Sequence, residues 1–534
     1  MKTAIIGAGP AGLSCGRMLA KHGVGLDLYE ACASLGGLAR SFSLWGQTVD
    51  IGPHRFFSRD RRVNEQWLEV VGSDYAMARR LTRILYRGQF YSYPLQPLDA
   101  LRNLGSFEAA RCVGSYALER IRPESLNGSF EGWVCRRFGR RLFEIFFKTY
   151  SEKLWGIPCD ELDADFAAQR IKGFSLSAAL SSALFRNGAK HRTLADEFAY
   201  PLGGTGMVYE RMARAVAERG GRIFLNTPVQ RVLTENNVVK GIELADGSVR
   251  AYDHVISTMP LTLLVERLPE SPAHVREAAR QLTFRNTILV YLEVADANVC
   301  PDQWIYIHSP ELRTGRITNF RNWVPQLHGD SPNTIVAMEY WCNGEPLTRP
   351  IGRPPPEPGS AGVPPAGYEN SPPRRQRSQV QGCNARNLLW AKSLPVRWGE
   401  GKGEGQSDEL WTKTDDELIA LARRELVATT LVGNKPLILN GKVLRIPRCY
   451  PVYRRGYKEL LRPIQEYLRS VRGLQVIGRY GSFKYNNQDH SILMGILAAE
   501  NVLKNAGHDL WGVNADYDTY QEGWKITETG LVPA

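Results

Sequence analysis

The chain has 534 residues, 43% of them hydrophobic and 23% charged, with a formal net charge of +12. That composition is globular, with room for two or three cores; no apolar run reaches membrane-spanning length, and no helix-turn-helix, RNP or zinc pattern accompanies the positive charge, so neither an integral membrane segment nor nucleic acid is expected. The nine cysteines stand apart without CxxC pairs or neighbouring histidines, which argues against a metal centre and for reduced thiols in the cytoplasm.

In chain order, Ala4-Ile5-Ile6 predicts a strand, Gly7-Ala8-Gly9-Pro10-Ala11-Gly12 a turn that opens a helix, and a second strand ends at Glu30. Three glycines at this spacing let the turn tighten, let backbone N–H groups approach a pyrophosphate and let the helix pack closely on the strand. A carboxylate at the end of the second strand suits the ribose hydroxyls of an adenosine half. The chain is therefore expected to hold a dinucleotide through Gly7, Gly9, Pro10, Ala11, Gly12 and Glu30. The same glycines interrupt the apolar start after Lys2, which does not read as a secretory leader. Next comes Leu35-Gly36-Gly37-Leu38-Ala39-Arg40. Alone it would be an ordinary Gly-Gly turn; after the first motif it suits a loop that touches the cofactor again through Gly37, Leu38 and Arg40, favouring FAD over NAD.

Helical spacing follows at Arg61 to Val71, Leu98 to Arg120 and Phe130 to Tyr150, and strands at Arg222 to Leu225, Val238 to Leu244 and Asp253 to Thr258. A strand-rich middle covers Thr287 to Val294, Trp304 to His308, Arg316 to Phe320 and Thr334 to Glu339; a helix is expected at Asp415 to Leu426 and a last strand and helix at Leu474 to Ile477 and Asp489 to Leu503. The expected fold class is α/β, with a Rossmann-type FAD-binding domain (1–60, 191–260 and 461–505), an interleaved helical domain (61–190), a mixed or antiparallel β-sheet substrate domain (261–347 and 408–460) and a tail (506–534). Val229, where the chain returns to the nucleotide domain, joins the expected cofactor contacts. Residues 348–407, rich in Pro, Gly, Arg and Ser, cannot bury enough surface to offset their ordering entropy and read as a disordered insertion, with a proline-rich docking site as the alternative.

Near the C-terminus stands Gly478-Arg479-Tyr480-Gly481-Ser482-Phe483-Lys484-Tyr485-Asn486-Asn487-Gln488-Asp489-His490-Ser491, after a strand and opening a helix. A helix N-terminus here would aim its dipole at an electron-rich group such as the pyrimidine edge of a reduced flavin, and Asn487 or Asp489 would also cap the helix. Gly478, Arg479, Asn487, Gln488, Asp489 and Ser491 complete the cofactor set.

This segment resembles the flavin signature of the UDP-galactopyranose mutases, particularly their eukaryotic-type branch, within the FAD-dependent amine oxidase and protoporphyrinogen oxidase-like superfamily. Tyr150-Ser151-Glu152-Lys153-Leu154-Trp155-Gly156-Ile157-Pro158 is similar to that family's Lys-x-Trp-x-x-Pro element, with Arg170 at the offset of a substrate-diphosphate arginine. Trp304-Ile305-Tyr306 resembles its Trp-x-Tyr element, with Arg316 at the offset of the second such arginine. Tyr93-Pro94-Leu95-Gln96 and the upstream Arg80 resemble its uracil-binding segment, Gly52-Pro53-His54 the loop whose histidine lies against the flavin, and Cys449-Tyr450-Pro451 the site of a phosphate-contacting tyrosine. The chain departs from the family at Ser151 and Ala195, where asparagines are usual.

The resemblance implies a ring-contracting isomerase that turns UDP-galactopyranose into UDP-galactofuranose through attack of reduced flavin N5 on the anomeric carbon, without net oxidation. FAD would be active in its reduced form, with NAD(P)H as a candidate reductant and a small-molecule nucleotide sugar as substrate. Arg170 and Arg316 would hold the departing diphosphate, and His54 would cover the flavin. Tyr306, Tyr450 and Tyr485 would donate to the phosphates, while Arg80, Tyr93, Gln96 and Trp155 would form the uridine end. Two rivals stand beside this reading. One is an FAD oxidoreductase of the protoporphyrinogen oxidase or amine oxidase type, and the other a flavin-binding scaffold that recruits partners through residues 348–407.

Overall fold

The computed structural model describes residues 1–93, 95, 103–121, 128–165, 197–344, 409–433, 437–514 and 523–533. Strand β1 (Lys2–Ile6) feeds helix α1 (Pro10–Lys21) and strand β2 (Gly25–Tyr29), the expected nucleotide cradle. Proline at the first helical position starts α1, and Gly16 lets Ile5 approach its flank. The hairpin β3 (Ser41–Leu44) and β4 (Gln47–Asp50) leads to α2 (Arg61–Val71), capped by the Asp60 side chain. Strands β5 (Tyr75–Arg79), β6 (Thr82–Tyr86) and β7 (Gln89–Ser92) follow, then α3 (Ser106–Ile121), α4 (Phe130–Phe138), a π-turn at Glu144–Lys148 and α5 (Thr149–Trp155).

The chain resumes in β8 (Glu197–Pro201), α6 (Gly206–Ala217), β9 (Arg222–Phe224), β10 (Val229–Glu235), β11 (Val238–Leu244), β12 (Val249–Ala251) and β13 (His254–Ser257). The strand-rich part comprises β14 (Phe284–Val294), β15 (Trp304–Ile307), β16 (Arg316–Asn319) and β17 (Thr334–Cys342), with α7 (Asp415–Ala428) and β18 (Ile438–Pro451) beyond the insertion. A capping box between Thr414 and Glu417 starts α7. Finally come α8 (Tyr457–Ser470), β19 (Leu474–Val476), α9 (Gln488–Lys504) and the hairpin β20 (Trp524–Thr527) and β21 (Gly530–Pro533).

Two sheets position the site. The nucleotide sheet runs β19-β13-β1-β2-β9, parallel throughout, and its Ile5, Leu28 and Ile256, with Ile477 just after β19, pack against α1, α6 and α9. The larger sheet runs β18-β14-β17-β16-β15-β6-β7 and is antiparallel except where β15 meets β6. These bear out the α/β class with a mixed sheet beside the nucleotide fold. No helix among the described residues is long and apolar enough to cross a membrane.

Two expectations need correction. The segment read as helical, 61–190, contains β5, β6 and β7; β5 pairs with β8, and β6 and β7 extend the larger sheet. Its hairpin signal is the pair Arg87–Gly88, both at positive φ, in a two-residue turn. The segment read as a tail carries the hairpin β20–β21, whose Ile526 packs into the nucleotide-domain core while Arg61 lies over Trp524. The long strand β18 falls within 408–460, the part expected to continue the β-sheet domain; Pro447 interrupts its pattern, the pairing with β14 shifts register there and Arg448 takes φ +56. The insertion read at 348–407 lies outside the described residues, yet Gly344 before it stands against Trp411 after it, so the flanking chain closes on itself.

Candidate active site

The glycine turn is built for a close-approaching group. A Cβ on Gly12 would stand 2.0 Å from the Gly7 carbonyl oxygen, and one on Gly7, whose φ is +100°, 2.0 Å from Thr258 Oγ1. A Cβ on Gly9 would meet nothing within 4 Å, so this turn opens outward at the N-terminus of α1. Ala11 is buried and touches the position of Gly478, so Gly478 also serves close packing. The second glycine pair folds over the first motif: Gly36 N–H donates to the Ala8 carbonyl at 2.8 Å and Gly37 faces Gly9. Leu38 is partly buried beside this loop, and Arg40 donates to Ser34 Oγ. Glu30 directly follows β2 and accepts from the N–H groups of Ala8 (2.8 Å) and Cys32 (2.9 Å), which locks it beside the turn. Val229 opens β10, and its carbonyl accepts from Arg267. These residues fit a dinucleotide.

At the other end, Asn487 caps α9 in a capping box with His490. Asp489 lies 3.3 Å from His490 Nδ1, and Ser491 is buried in the first turn. Gln488 is occupied structurally, accepting from Tyr209 at 2.6 Å and donating to the Arg55 carbonyl at 3.3 Å.

Between these ends the larger sheet presents charge. Arg316 on β16 and Glu339 on β17 are direct cross-strand partners, with Nε to Oε2 at 2.7 Å. Glu339 also accepts from Tyr450 Oη and Trp341 Nε1, each at 3.0 Å. Burial disfavours the charge on Arg316, yet Glu339 holds its proton affinity above the ordinary value. Arg479 donates to the carbonyls of Cys449 (3.0 Å) and Asn486 (3.2 Å) and lies over the rings of Tyr450 (4.7 Å) and Tyr485 (4.3 Å), which stack on each other at 5.3 Å. The β18 bulge aims Tyr450 inward, since Asn286 accepts from the Arg448 N–H and the next paired position is Arg285 with Tyr450.

The Gly52-Pro53-His54 loop belongs to the same place, with Gly52 facing the Arg316 guanidinium and the His54 carbonyl accepting from Thr205 Oγ1 at 3.0 Å. Beneath it the buried Asp50 accepts from Ser41, Tyr200 and the Thr205 N–H, which explains the Tyr200 to Gly206 segment: a Cβ on Gly204 or Gly206 would collide with Ser41. Burial, then the charges of Arg316 and Arg479, push His54 down to about 3, so its ring is neutral at pH 7.

A third group continues along the sheet. Tyr306 contacts Tyr93 at 4.7 Å and Tyr150 at 5.5 Å; Tyr150 reaches Trp341 at 5.5 Å, and Arg80 lies over Tyr93 at 6.0 Å. The structure thus brings together His54, Arg316, Arg479, Tyr450, Tyr485, Tyr306, Tyr93 and Arg80. Trp155 does not stand with Tyr93, as the uridine-end reading expected. It is fully buried, stacked on Tyr453 at 5.8 Å and edge-on to Tyr450 and Tyr485, so it backs those tyrosines. Arg170 and Gln96 lie outside the described residues. Among the described residues Arg316 and Arg479 are the cations whose charges reach His54. Sequence reasoning missed Glu339, Trp341 and Tyr150. The signal for Glu339 was a lone acid in a strand whose nine positions are all buried. No cluster of metal-ligating side chains occurs among the described residues.

Burial pushes His308, like His54, down to about 3. Below the ordinary histidine value of 6.5 the unfolded chain binds protons that the folded chain refuses. Stability is therefore full above pH 6.5 and falls between 6.5 and 3, by roughly 1.4 kcal/mol per pH unit for a histidine that keeps its full shift. His308 is buried outside the His54 loop, so its contribution can be read without disturbing that loop. Urea midpoints of wild type and His308→Asn between pH 7.5 and 5 check this; equal slopes would remove His308 from the account.

The flavin containing amine oxidoreductase profile matches residues 10–347. Among curated proteins the chain is 23% identical over 296 residues to 4,4'-diapophytoene desaturase (4,4'-diapolycopene-forming) of Methylomonas sp, covering 47% of this chain and 52% of the relative. It is 29% identical over 173 residues to a probable UDP-galactopyranose mutase of Klebsiella pneumoniae, covering 30% and 42%. The chain thus spans about half the length of the curated relatives it matches. Among solved structures, reduced UDP-galactopyranose mutase superposes with a TM-score of 0.75 at 21% identity, covering 97% of this chain and 98% of that one, a likeness of fold.

Proposed function

Because the chain belongs to the family of flavin-containing amine oxidoreductases, we propose that it works within that family as an isomerase of a nucleotide sugar, contracting UDP-galactopyranose to UDP-galactofuranose with reduced FAD. The observation that carries this reading is the convergence of Arg316 and Arg479 with Tyr450 and Tyr485 at the His54 loop. Two guanidiniums, only one of them paired with a carboxylate, suit a diphosphate and have no use for a neutral or cationic oxidase substrate.

FAD would be held by the Gly7 to Gly12 turn, Glu30, the Gly36–Gly37 loop and the N-terminus of α9; when bound and reduced it supplies the nucleophilic nitrogen for the anomeric carbon. The chain's own residues bind and orient. Arg316 takes up the charge that develops on the departing diphosphate, turning from Glu339 toward the substrate oxygens. Tyr450 and Tyr485 offer hydroxyls to the same group, with Trp155 fixing their rings from behind. Tyr306, Tyr93 and Arg80 line the approach for the nucleotide, where an aromatic ring can stack on a base. His54, neutral, fills the space beside the cofactor edge. The free thiols of the described cysteines accord with a cytoplasmic setting in which NAD(P)H serves as reductant.

The test incubates purified protein anaerobically with UDP-galactofuranose, with and without dithionite, and follows the nucleotide sugars by chromatography. Interconversion is expected only with reduced flavin, and NADPH should substitute for dithionite. Inert nucleotide sugars together with aerobic peroxide release from an amine or porphyrinogen would overturn the proposal in favour of an oxidoreductase. That second reading has support in the similarity to a desaturase over 296 residues.

A further inference from the structure

Helix α3 has its polarity reversed. Glu119 is 7% exposed and Glu108 is tied to Arg111 and Arg141, whereas Phe107, Leu118 and Ile121 are 77%, 61% and 76% exposed. At 3.6 residues per turn Phe107, Ala110, Gly114, Leu118 and Ile121 share one outward stripe, which holds no carboxylate. A surface helix that only covers a core shows water the opposite face. Single exposed apolar side chains need no explanation, but a contiguous stripe marks a surface that something covers.

The surrounding layer carries an excess of positive charge outward. Arg120, Arg136 and Arg137 are exposed and Arg111 shares Glu108 with Arg141, whereas Glu131 is bound to Arg140 and the exposed Glu144 to Arg141. Gly139, between α4 and the turn after it, packs on the backbone of Ser115 and Tyr116, so these helices hold the inner face of α3 and leave the stripe outward. The chain's net charge of +12 reinforces the local field.

We propose that α3 lies in the plane of an anionic phospholipid bilayer, with Phe107, Leu118 and Ile121 among the upper acyl chains and Arg111 and Arg120 at headgroup level. A two-fold contact between copies would bring like-charged rims together, whereas anionic headgroups attract them. The contact is peripheral, because this 16-residue helix is about 24 Å long and lies along the surface. The inference is independent of the substrate assigned to the site.

Co-sedimentation of the full chain with vesicles tests it. The wild type is expected to pellet with phosphatidylcholine vesicles containing phosphatidylglycerol, less so at high salt, and to stay in solution with phosphatidylcholine alone. Leu118→Glu with Ile121→Glu should lower the bound fraction at least about tenfold while bound flavin and circular dichroism stay unchanged, since both side chains point away from the core. A wild type that ignores phosphatidylglycerol vesicles overturns the proposal. So does a variant that binds them as the wild type does, and if that variant also splits a wild-type dimer in light scattering, the stripe belongs to a second copy.

Discussion

Arg316→Lys is expected to lower kcat/KM for UDP-galactofuranose by roughly a hundredfold or more, about 3 kcal/mol at the transition state, with flavin content unchanged. Lysine keeps one positive charge near Glu339 but loses the forked geometry that meets two oxygens of a phosphate at once. Arg316→Ala should be worse in two separable ways. Activity falls further, and Glu339 is left buried without its cation, which costs the fold roughly 3–5 kcal/mol and shows as a lower Tm. Glu339→Gln divides the two effects: it keeps hydrogen bonding for Tyr450 and Trp341, frees Arg316 from its ion pair and should weaken stability more than turnover. Near-normal turnover in Arg316→Lys, measured with fully reduced flavin, would remove the diphosphate role from Arg316.

The reason this arginine was legible while its partner was not is physical. Motif spacing along a chain reports what one element offers, and Arg316 sits at an offset from Trp304 within two neighbouring strands. Glu339 becomes its partner only through the register of β16 against β17, a long-range fact that local pattern does not carry. The nucleotide cradle was readable because turn, helix start and strand end are all encoded within residues 4–30. The strand-rich core was readable for a similar reason, since β14 and β17 are nearly continuous apolar runs. By contrast β6 and β7 are ordinary hairpin sequence, and their place in the larger sheet depends on β15 arriving from far along the chain. Trp155 was misplaced because the π-turn at Glu144–Lys148 sets the direction in which α5 enters the core. Its ring meets Tyr453 from behind, while Tyr93 pairs with Tyr306 instead.

Gly9 and Gly12 offer the sharper test of the cofactor, because the geometry assigns them opposite failures. Gly12→Ala places a methyl 2.0 Å from the Gly7 carbonyl oxygen and 3.3 Å from Ile5, so α1 must move off β1; the expected cost is roughly 1–3 kcal/mol or more of stability together with loss of flavin. Gly9 has φ −83° and a Cβ there meets nothing, so Gly9→Ala should fold with a Tm within the small range of surface substitutions. Its methyl nevertheless projects into the opening where a pyrophosphate would approach the first N–H groups of α1. The expected result is a stable, soluble protein that purifies with little flavin and rebinds FAD at least about tenfold more weakly, a loss of roughly 1.4 kcal/mol. Flavin absorbance per protein and FAD titration of the apo-protein measure it. A Gly9→Ala protein that retains a full complement of FAD at wild-type affinity would show that the pyrophosphate does not pass over this turn. The Gly36–Gly37 loop, which faces Gly9, would then serve only to close the fold.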